Sequence, residues 1–124
     1  MNQSRLRWAL VIVTSCVTGA GVLARTVPAA KVIDVTASRY RFEPAQIEVE
    51  EGDRVVLRVR SIDGPHGLAI KGFKARASIP EDGSVVTLEF VARKAGVFEY
   101  ACNEYCGPGH AQMRGSLVVK AKVG

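Results

Sequence analysis

The 124-residue sequence contains few side chains that bind soft metal ions: 2 His, 3 Cys and 2 Met. It has a single Trp, and it lacks any cluster of Lys and Arg interleaved with aromatic residues, which argues against nucleic-acid binding. It has no internal repeat and no low-complexity tract, and its length predicts one folded domain. The hydrophobic content of 48% excludes a chain that is disordered throughout.

The formal net charge of +5 is unevenly distributed along the sequence. Residues 1–30 contain Arg5, Arg7 and Arg25 and no acidic residue, whereas the rest of the chain is nearly neutral. The positive charge of the body is therefore too small to indicate a polyanionic partner.

The N-terminal segment has the pattern of an export signal or a membrane anchor. The 17 residues from Trp8 to Ala24 carry no charge and follow the basic residues Arg5 and Arg7. We predict that residues 1–30 form an uncleaved anchor with one hydrophobic helix in a bacterial or archaeal cell membrane. A cleaved signal that releases a periplasmic protein is the alternative, and lipid attachment at Cys16 is a third option. The two arginines would stay in the cytoplasm, so the body is predicted to lie outside it.

Residues 31–124 show the pattern of an all-β domain. Short runs that favour strands are separated by turns containing Gly, Asp and Pro, and Val55, Leu57 and Val59 are spaced as on one face of a strand. The predicted strands are Val32–Ala37, Gln46–Glu50, Arg54–Arg60, Gly67–Ile70, Val85–Ala92, Val97–Ala101 and Ser116–Lys120. About seven or eight short strands in a domain of this size predict an antiparallel β-sandwich.

Every His and Cys of the body, and its only Met, falls in two short segments. The first contains His66, and the second runs from Cys102 to Met113 and includes Cys106 and His110. Thiolate, imidazole and thioether ligands together favour copper, whereas Ca²⁺ or Mg²⁺ would require several carboxylates. Glycine and proline at positions 107–109 allow the second segment to bend into a tight loop between two strands.

The same residues permit two other interpretations. Cys102 and Cys106 could form a disulfide in an oxidising compartment, which would leave His110 and Met113 without a role. The two cysteines could instead hold a structural zinc ion together with His66 and His110, and Met113 would then be spare.

The body resembles the copper-binding cupredoxin domain of cytochrome c oxidase subunit II, whose centre is called CuA, and it is most similar to the short subunit II of ba3-type oxidases. The shared features are Tyr40-Arg-Phe-Glu-Pro44, the pattern from Ile47 to Asp53, His66-Gly67-Leu68, the pattern from Gly96 to Tyr100, and the Cys102–Met113 loop followed by Arg114-Gly115. A mononuclear blue-copper loop has one Cys before its His and Met, so the second Cys distinguishes this family. The resemblance implies a cupredoxin-like Greek-key β-sandwich over residues 31–124.

The resemblance also implies a binuclear centre with two copper ions. The implied ligands are the bridging thiolates of Cys102 and Cys106, one imidazole for each ion from His66 and His110, the weakly bound thioether of Met113, and the backbone carbonyl of Glu104. The larger family members have a Trp-containing segment for electron entry, whereas the single Trp here is Trp8, in the predicted anchor.

A subunit II-like protein would accept electrons from a cytochrome c or another cupredoxin and pass them to subunit I of a haem-copper oxidase. Oxygen would be reduced in that other subunit, so this chain alone would catalyse no reaction. A protein that stores or delivers copper for oxidase assembly is the alternative function. A partner resembling nitrous oxide reductase is a third hypothesis, which the lack of a second domain disfavours.

Overall fold

The computed structural model describes residues 19–22 and 28–123, and this part of the chain contains a β-sandwich. The predicted N-terminal helix falls mainly on residues 1–18 and 23–27, which lie outside the described residues. Within the described ranges, no helix combines the length and the apolar character that a bilayer crossing requires.

The described residues form nine strands and one short helix. The strands are β1 (Lys31–Ser38), β2 (Arg41–Glu43), β3 (Gln46–Glu50), β4 (Arg54–Ser61), β5 (His66–Ile70), β6 (Ala75–Ile79), β7 (Val86–Val91), β8 (Gly96–Ala101) and β9 (Arg114–Lys120). The helix is a single 3-10 turn over His110–Gln112. All seven predicted strands are present, and their ends differ from the prediction by no more than two residues.

The sequence analysis missed two strands, β2 and β6. β2 has only 3 residues, which is too short to display an alternating pattern. β6 has the sequence ARASI, in which Ile79 is the single β-branched residue. β6 pairs with β5, from His66 opposite Ile79 to Ile70 opposite Ala75. This pairing holds the segment in a strand although its own sequence has little preference for one.

The strands form a four-stranded sheet in the order β2-β1-β4-β7 and a five-stranded sheet in the order β3-β9-β8-β5-β6. The prediction of antiparallel pairing was wrong for two pairs, because β1 runs parallel to β4 and β3 runs parallel to β9. The chain visits the second sheet at β3 before it returns as β4, beside β1 and in the same direction. Alternating burial has the same period beside a parallel or an antiparallel neighbour, so the sequence pattern could not distinguish them.

The core lies between the two sheets and consists of their inward-facing residues. Val55, Leu57 and Val59 of β4 are each 0% exposed and alternate with more exposed neighbours. Burying one such aliphatic side chain stabilises the fold by about 1.5–3 kcal/mol. The ring of Tyr100 packs edge-on against Phe42 with centroids 5.5 Å apart, and its hydroxyl donates to a backbone carbonyl of the β2–β3 turn at 2.7 Å. The buried hydroxyl of Tyr100 therefore has a hydrogen-bond partner, as buried polar groups require.

One end of the sandwich gathers the segments that carry the predicted ligands. β8 ends at Ala101 and β9 begins at Arg114, and these two residues are paired across the sheet. β5 begins at His66, and its residue Ala69 also pairs with Ala101. The loop formed by residues 102–113 therefore lies at the same end of the sheet as His66.

Candidate metal centre

Residues 102–113 form a closed loop between β8 and β9. The backbone N–H of Cys102 donates a hydrogen bond to the carbonyl of Met113 at 3.1 Å, which joins the two ends of the loop. The 3-10 turn orders the second half, because the N–H of His110 donates to the carbonyl of Gly107 at 3.0 Å. The N–H of Met113 in turn donates to the carbonyl of His110 at 3.2 Å. These backbone hydrogen bonds therefore fix the positions of the Cα atoms from which the ligand side chains of this loop extend.

Cys102 and Cys106 bring their sulfur atoms together inside the protein. The two Sγ atoms lie 3.6 Å apart, and the residues are 6% and 7% exposed. Both thiols are free, since a disulfide would require about 2.05 Å between the sulfurs. Burial, with the neighbouring Cys102 thiol as a further cause, raises the pKa of Cys106 to about 11. The Cys106 thiol therefore stays protonated until a cation displaces its proton.

His66 lies beside the two sulfurs and is completely buried, at 0% exposure. Its Nε2 contacts Oδ1 of Asp63 at 2.8 Å, whereas its Nδ1 has no hydrogen-bond partner in the described part of the chain. One ring nitrogen of His66 and the sulfurs of Cys102 and Cys106 all lie within 4.8 Å of one another. Because Asp63 engages Nε2, the lone pair of Nδ1 is the one available to a metal ion.

The other two side-chain ligands predicted for the loop lie beside Cys106. Nδ1 of His110 is 3.6 Å from the Cys106 sulfur, and Sδ of Met113 is 3.8 Å from it. Met113 is 0% exposed, whereas His110 is only half-buried. The ring of Tyr105, which is 77% exposed, lies 5.7 Å from the His110 ring between centroids. The cluster therefore reaches the surface at His110.

The backbone carbonyl of Glu104 also faces the cluster. Its oxygen accepts a hydrogen bond from the Cys102 thiol at 3.0 Å. The carboxylate of Glu104 is engaged elsewhere, because it accepts a hydrogen bond from the hydroxyl of Ser78 on β6. The group that Glu104 offers to the site is therefore its carbonyl, and its side chain fastens this part of the loop to the sheet. Each of the six predicted ligand groups thus either is one of the two cysteine sulfurs or lies close to one of them.

The sequence analysis did not identify Asp63 as part of the site. Besides its contact with His66, its Oδ2 accepts a hydrogen bond from the backbone N–H of Arg39 at 2.6 Å. Burial opposes ionisation of this carboxyl group, but these hydrogen bonds outweigh it and lower the pKa of Asp63. Asp63 is therefore ionised near neutral pH and orients the imidazole. Its position three residues before His66 was the available signal, but Asp63-Gly64-Pro65 was interpreted only as a turn.

A second contact that the sequence did not reveal is the ring of Tyr40 against the ligand loop. A Cβ atom built on Gly109 would overlap Cδ2 of the Tyr40 ring, and one on Gly107 would overlap the Tyr40 hydroxyl. Gly107 also has a φ of +135°, which residues with a side chain rarely adopt. These glycines therefore allow an aromatic ring to lie directly on the loop backbone, in addition to permitting the bend.

The fold and the sequence together define the class of the protein. The family described as "Cupredoxin-like domain" matches residues 8–119, which is most of the chain. A chain of a heme-copper terminal oxidase dimer superposes with a TM-score of 0.66 at 26% identity, covering 73% of this chain and 65% of that one. The described part of the chain is thus an all-β, cupredoxin-like sandwich.

Sequence relatives of the chain narrow this class to proteins similar to oxidase subunits. It is 32% identical over 101 residues to cytochrome c oxidase subunit 2 of Thermus thermophilus, covering 82% of this chain and 74% of that protein. It is also 32% identical to a second cytochrome c oxidase subunit 2 of Thermus thermophilus, covering 82% of this chain and 60% of that protein. The chain belongs to the cupredoxin-like family that includes these oxidase subunits.

Proposed function

We propose that the chain is an electron-transfer protein in which residues 31–124 hold a binuclear, CuA-type copper centre and residues 1–30 anchor the domain to the membrane. The proposed copper ligands are Cys102, Cys106, His66, His110, Met113 and the carbonyl of Glu104. The observation that carries the proposal is the pair of buried thiols 3.6 Å apart, with further donor atoms beside each sulfur. A mononuclear copper site of the blue type uses only one thiolate.

The donor set suits copper in its chemistry. The two thiolates would supply the negative charge that a buried dicopper core requires. Nδ1 of His66 is a buried nitrogen without a hydrogen-bond partner among the described residues, and a metal ion would satisfy it. The thioether of Met113 is a soft donor that a zinc site would leave unused.

The copper ions would supply one-electron exchange, with the electron shared between them. The chain's own residues would keep the ligands in nearly the same positions before and after the transfer. Asp63 holds His66, and the hydrogen bond between Cys102 and Met113 closes the loop. A loop that a rigid β-sandwich positions in this way needs little rearrangement when its charge changes.

The relatives support a place in a respiratory chain. We propose that the chain receives electrons from a cytochrome c or a cupredoxin and passes them to subunit I of a haem-copper oxidase. The half-buried His110, beside the exposed Tyr105, is a point at which a partner can approach. Arg5 and Arg7 support an orientation with the copper domain outside the cytoplasm.

Copper storage or delivery is the second candidate function. The observation that favours it is the same partial exposure of His110, because a ligand at the surface also permits exchange of the metal. A delivery protein would bind one labile Cu(I) ion and would have no stable oxidised form.

The test is copper loading of the full membrane-embedded chain, followed by metal analysis, the visible spectrum and EPR. We expect two copper ions per chain that share one unpaired electron. Cys106→Ser should abolish the shared-electron signal, whereas Cys16→Ser is the matched control and should retain it. A signal that survives Cys106→Ser would contradict the ligand assignment, one labile Cu(I) would favour delivery, and one zinc ion per chain would contradict both functions.

A further inference from the structure

Arg39 lies in the turn between β1 and β2 and contacts both segments that carry the proposed ligands. Its backbone N–H donates a hydrogen bond to Asp63, the residue that holds His66, at 2.6 Å. Its side-chain Nε donates to the backbone carbonyl of Cys106 at 3.3 Å. This single residue therefore connects the turn before β5 to the loop between β8 and β9.

The turn before β5 is shaped to accept the guanidinium group of Arg39. A Cβ atom built on Gly64 would lie 3.0 Å from a guanidinium nitrogen, so a side chain at this position would crowd the contact. Gly64 also has a φ of +133°, which favours glycine. The side chain of Arg39 thus packs against the turn that leads to His66 while its Nε reaches Cys106.

The guanidinium group also places a permanent positive charge beside the thiol pair. The Nε of Arg39 lies 3.3 Å from the carbonyl oxygen of Cys106, so the guanidinium group is held next to a residue that carries one of the two thiols. Arginine remains protonated throughout the physiological pH range. The charge is therefore present whatever the oxidation state of a bound metal.

We propose that Arg39 is a positioning residue that fixes the two ligand-bearing segments relative to each other and raises the reduction potential of the centre. The effect on the potential rests on the proposed function, whereas the positioning role does not. Reduction adds one electron from the donor protein, and oxidation passes that electron to the acceptor, without any bond being formed or broken. A fixed cation nearby favours the reduced state, because that state is more negative by one charge.

The first test measures the midpoint potential of the copper-loaded full chain. Arg39→Gln removes the charge, and Arg39→Lys keeps it but cannot reproduce the planar hydrogen-bonding group. Arg41→Gln is the matched control, since the Arg41 side chain is 73% exposed and its carboxylate partner, Glu43, is 3.8 Å away. We expect a lower potential in Arg39→Gln, an intermediate one in Arg39→Lys and the wild-type potential in Arg41→Gln. Equal potentials in Arg39→Gln and Arg41→Gln would overturn the electrostatic role.

The second test measures hydrogen exchange of backbone amides in the metal-free full chain. We expect both Arg39 variants to exchange several-fold faster at residues 102–113, and Arg41→Gln to exchange at the wild-type rate. Unchanged exchange in Arg39→Gln would overturn the positioning role. Failure of the wild-type chain to bind two copper ions would contradict the proposed function instead, and the exchange rates would still decide whether Arg39 connects the two segments.

Discussion

Replacement of Asp63 by Asn should weaken copper binding more than any exposed acidic substitution at the same end of the sandwich. Asp63 contacts Nε2 of His66 at 2.8 Å and leaves Nδ1 as the free nitrogen. An Asn side chain has no charge and can present either its oxygen or its NH₂ group to the imidazole, so it no longer specifies which ring nitrogen carries the proton. The ligand would then occupy its metal-binding tautomer for only part of the time.

The expected loss of copper affinity follows from the energy of the one hydrogen bond that Asp63 makes with His66. A hydrogen bond to an ionised group contributes about 1.5–3 kcal/mol. At about 1.4 kcal/mol for each tenfold change, its loss corresponds to roughly a 10- to 100-fold lower affinity. Loss of an outer carboxylate that orients a metal-binding His has effects of the same size, about 10- to 100-fold.

The assay is competition for Cu(I) between the full chain and a chelator of known affinity. Asp82→Asn is the control, since Asp82 is exposed in the β6–β7 turn and its side chain accepts hydrogen bonds from Ser84. Thermal unfolding of the metal-free variants shows whether either substitution disturbs the fold. An affinity for Asp63→Asn within about twofold of that for Asp82→Asn would refute the argument that Asp63 prepares His66 for the metal.

Three further predictions concern the ligand loop. Met113→Leu keeps the buried volume, so the free energy of unfolding of the metal-free chain, measured in urea, should change by less than about 1.5 kcal/mol. The midpoint potential of the copper-loaded chain should shift, because the thioether is lost, and an unchanged potential would argue against Met113 as a ligand. Gly109→Ala places a Cβ atom against the Tyr40 ring and should destabilise the fold by about 1–3 kcal/mol, and Tyr40→Ala should relieve this loss. Equal losses in both backgrounds would contradict the proposed contact. Because the pKa of the Cys106 thiol is about 11, copper must displace its proton, and the apparent affinity should fall about tenfold for each displaced proton per unit decrease in pH. Titrations between about pH 6 and 8 that show no dependence would contradict this mechanism.

The sequence was sufficient for the parts of the fold that depend on local pattern. Alternating residues such as Val55, Leu57 and Val59 predicted β4, and the structure buries all three. The ligand loop was predicted between two strands, and it lies between β8 and β9. The prediction that each ligand lies in one of two segments required only residue types and spacing, because soft metal ligands are scarce in this chain.

What the sequence could not show depends on contacts between distant segments. Arg39 reaches Cys106 across 67 positions of the chain, and the ring of Tyr40 lies on glycines of the same loop. The parallel pairing of β1 with β4 also depends on how the chain moves between sheets. Asp63 is only three residues from His66, but it precedes Gly64 and Pro65 and was therefore interpreted as a turn residue and not as a partner of the imidazole.

The first strand sets the distance between Lys31, where the described sandwich begins, and the end of the sandwich that carries the proposed redox centre. β1 begins at Lys31 opposite Val55, and its far end pairs with Ser61, close to the turn that leads to His66. Its 8 residues, at about 3.3 Å each, span roughly 26 Å. An upright domain would therefore present its centre to diffusing carriers well above the lipid headgroups. With the domain anchored through residues 1–30 as proposed, transfer to a haem inside the bilayer would require the domain to lie on its side or to rest against a partner that projects from the membrane. The length of this strand would then limit which acceptors lie within tunnelling distance.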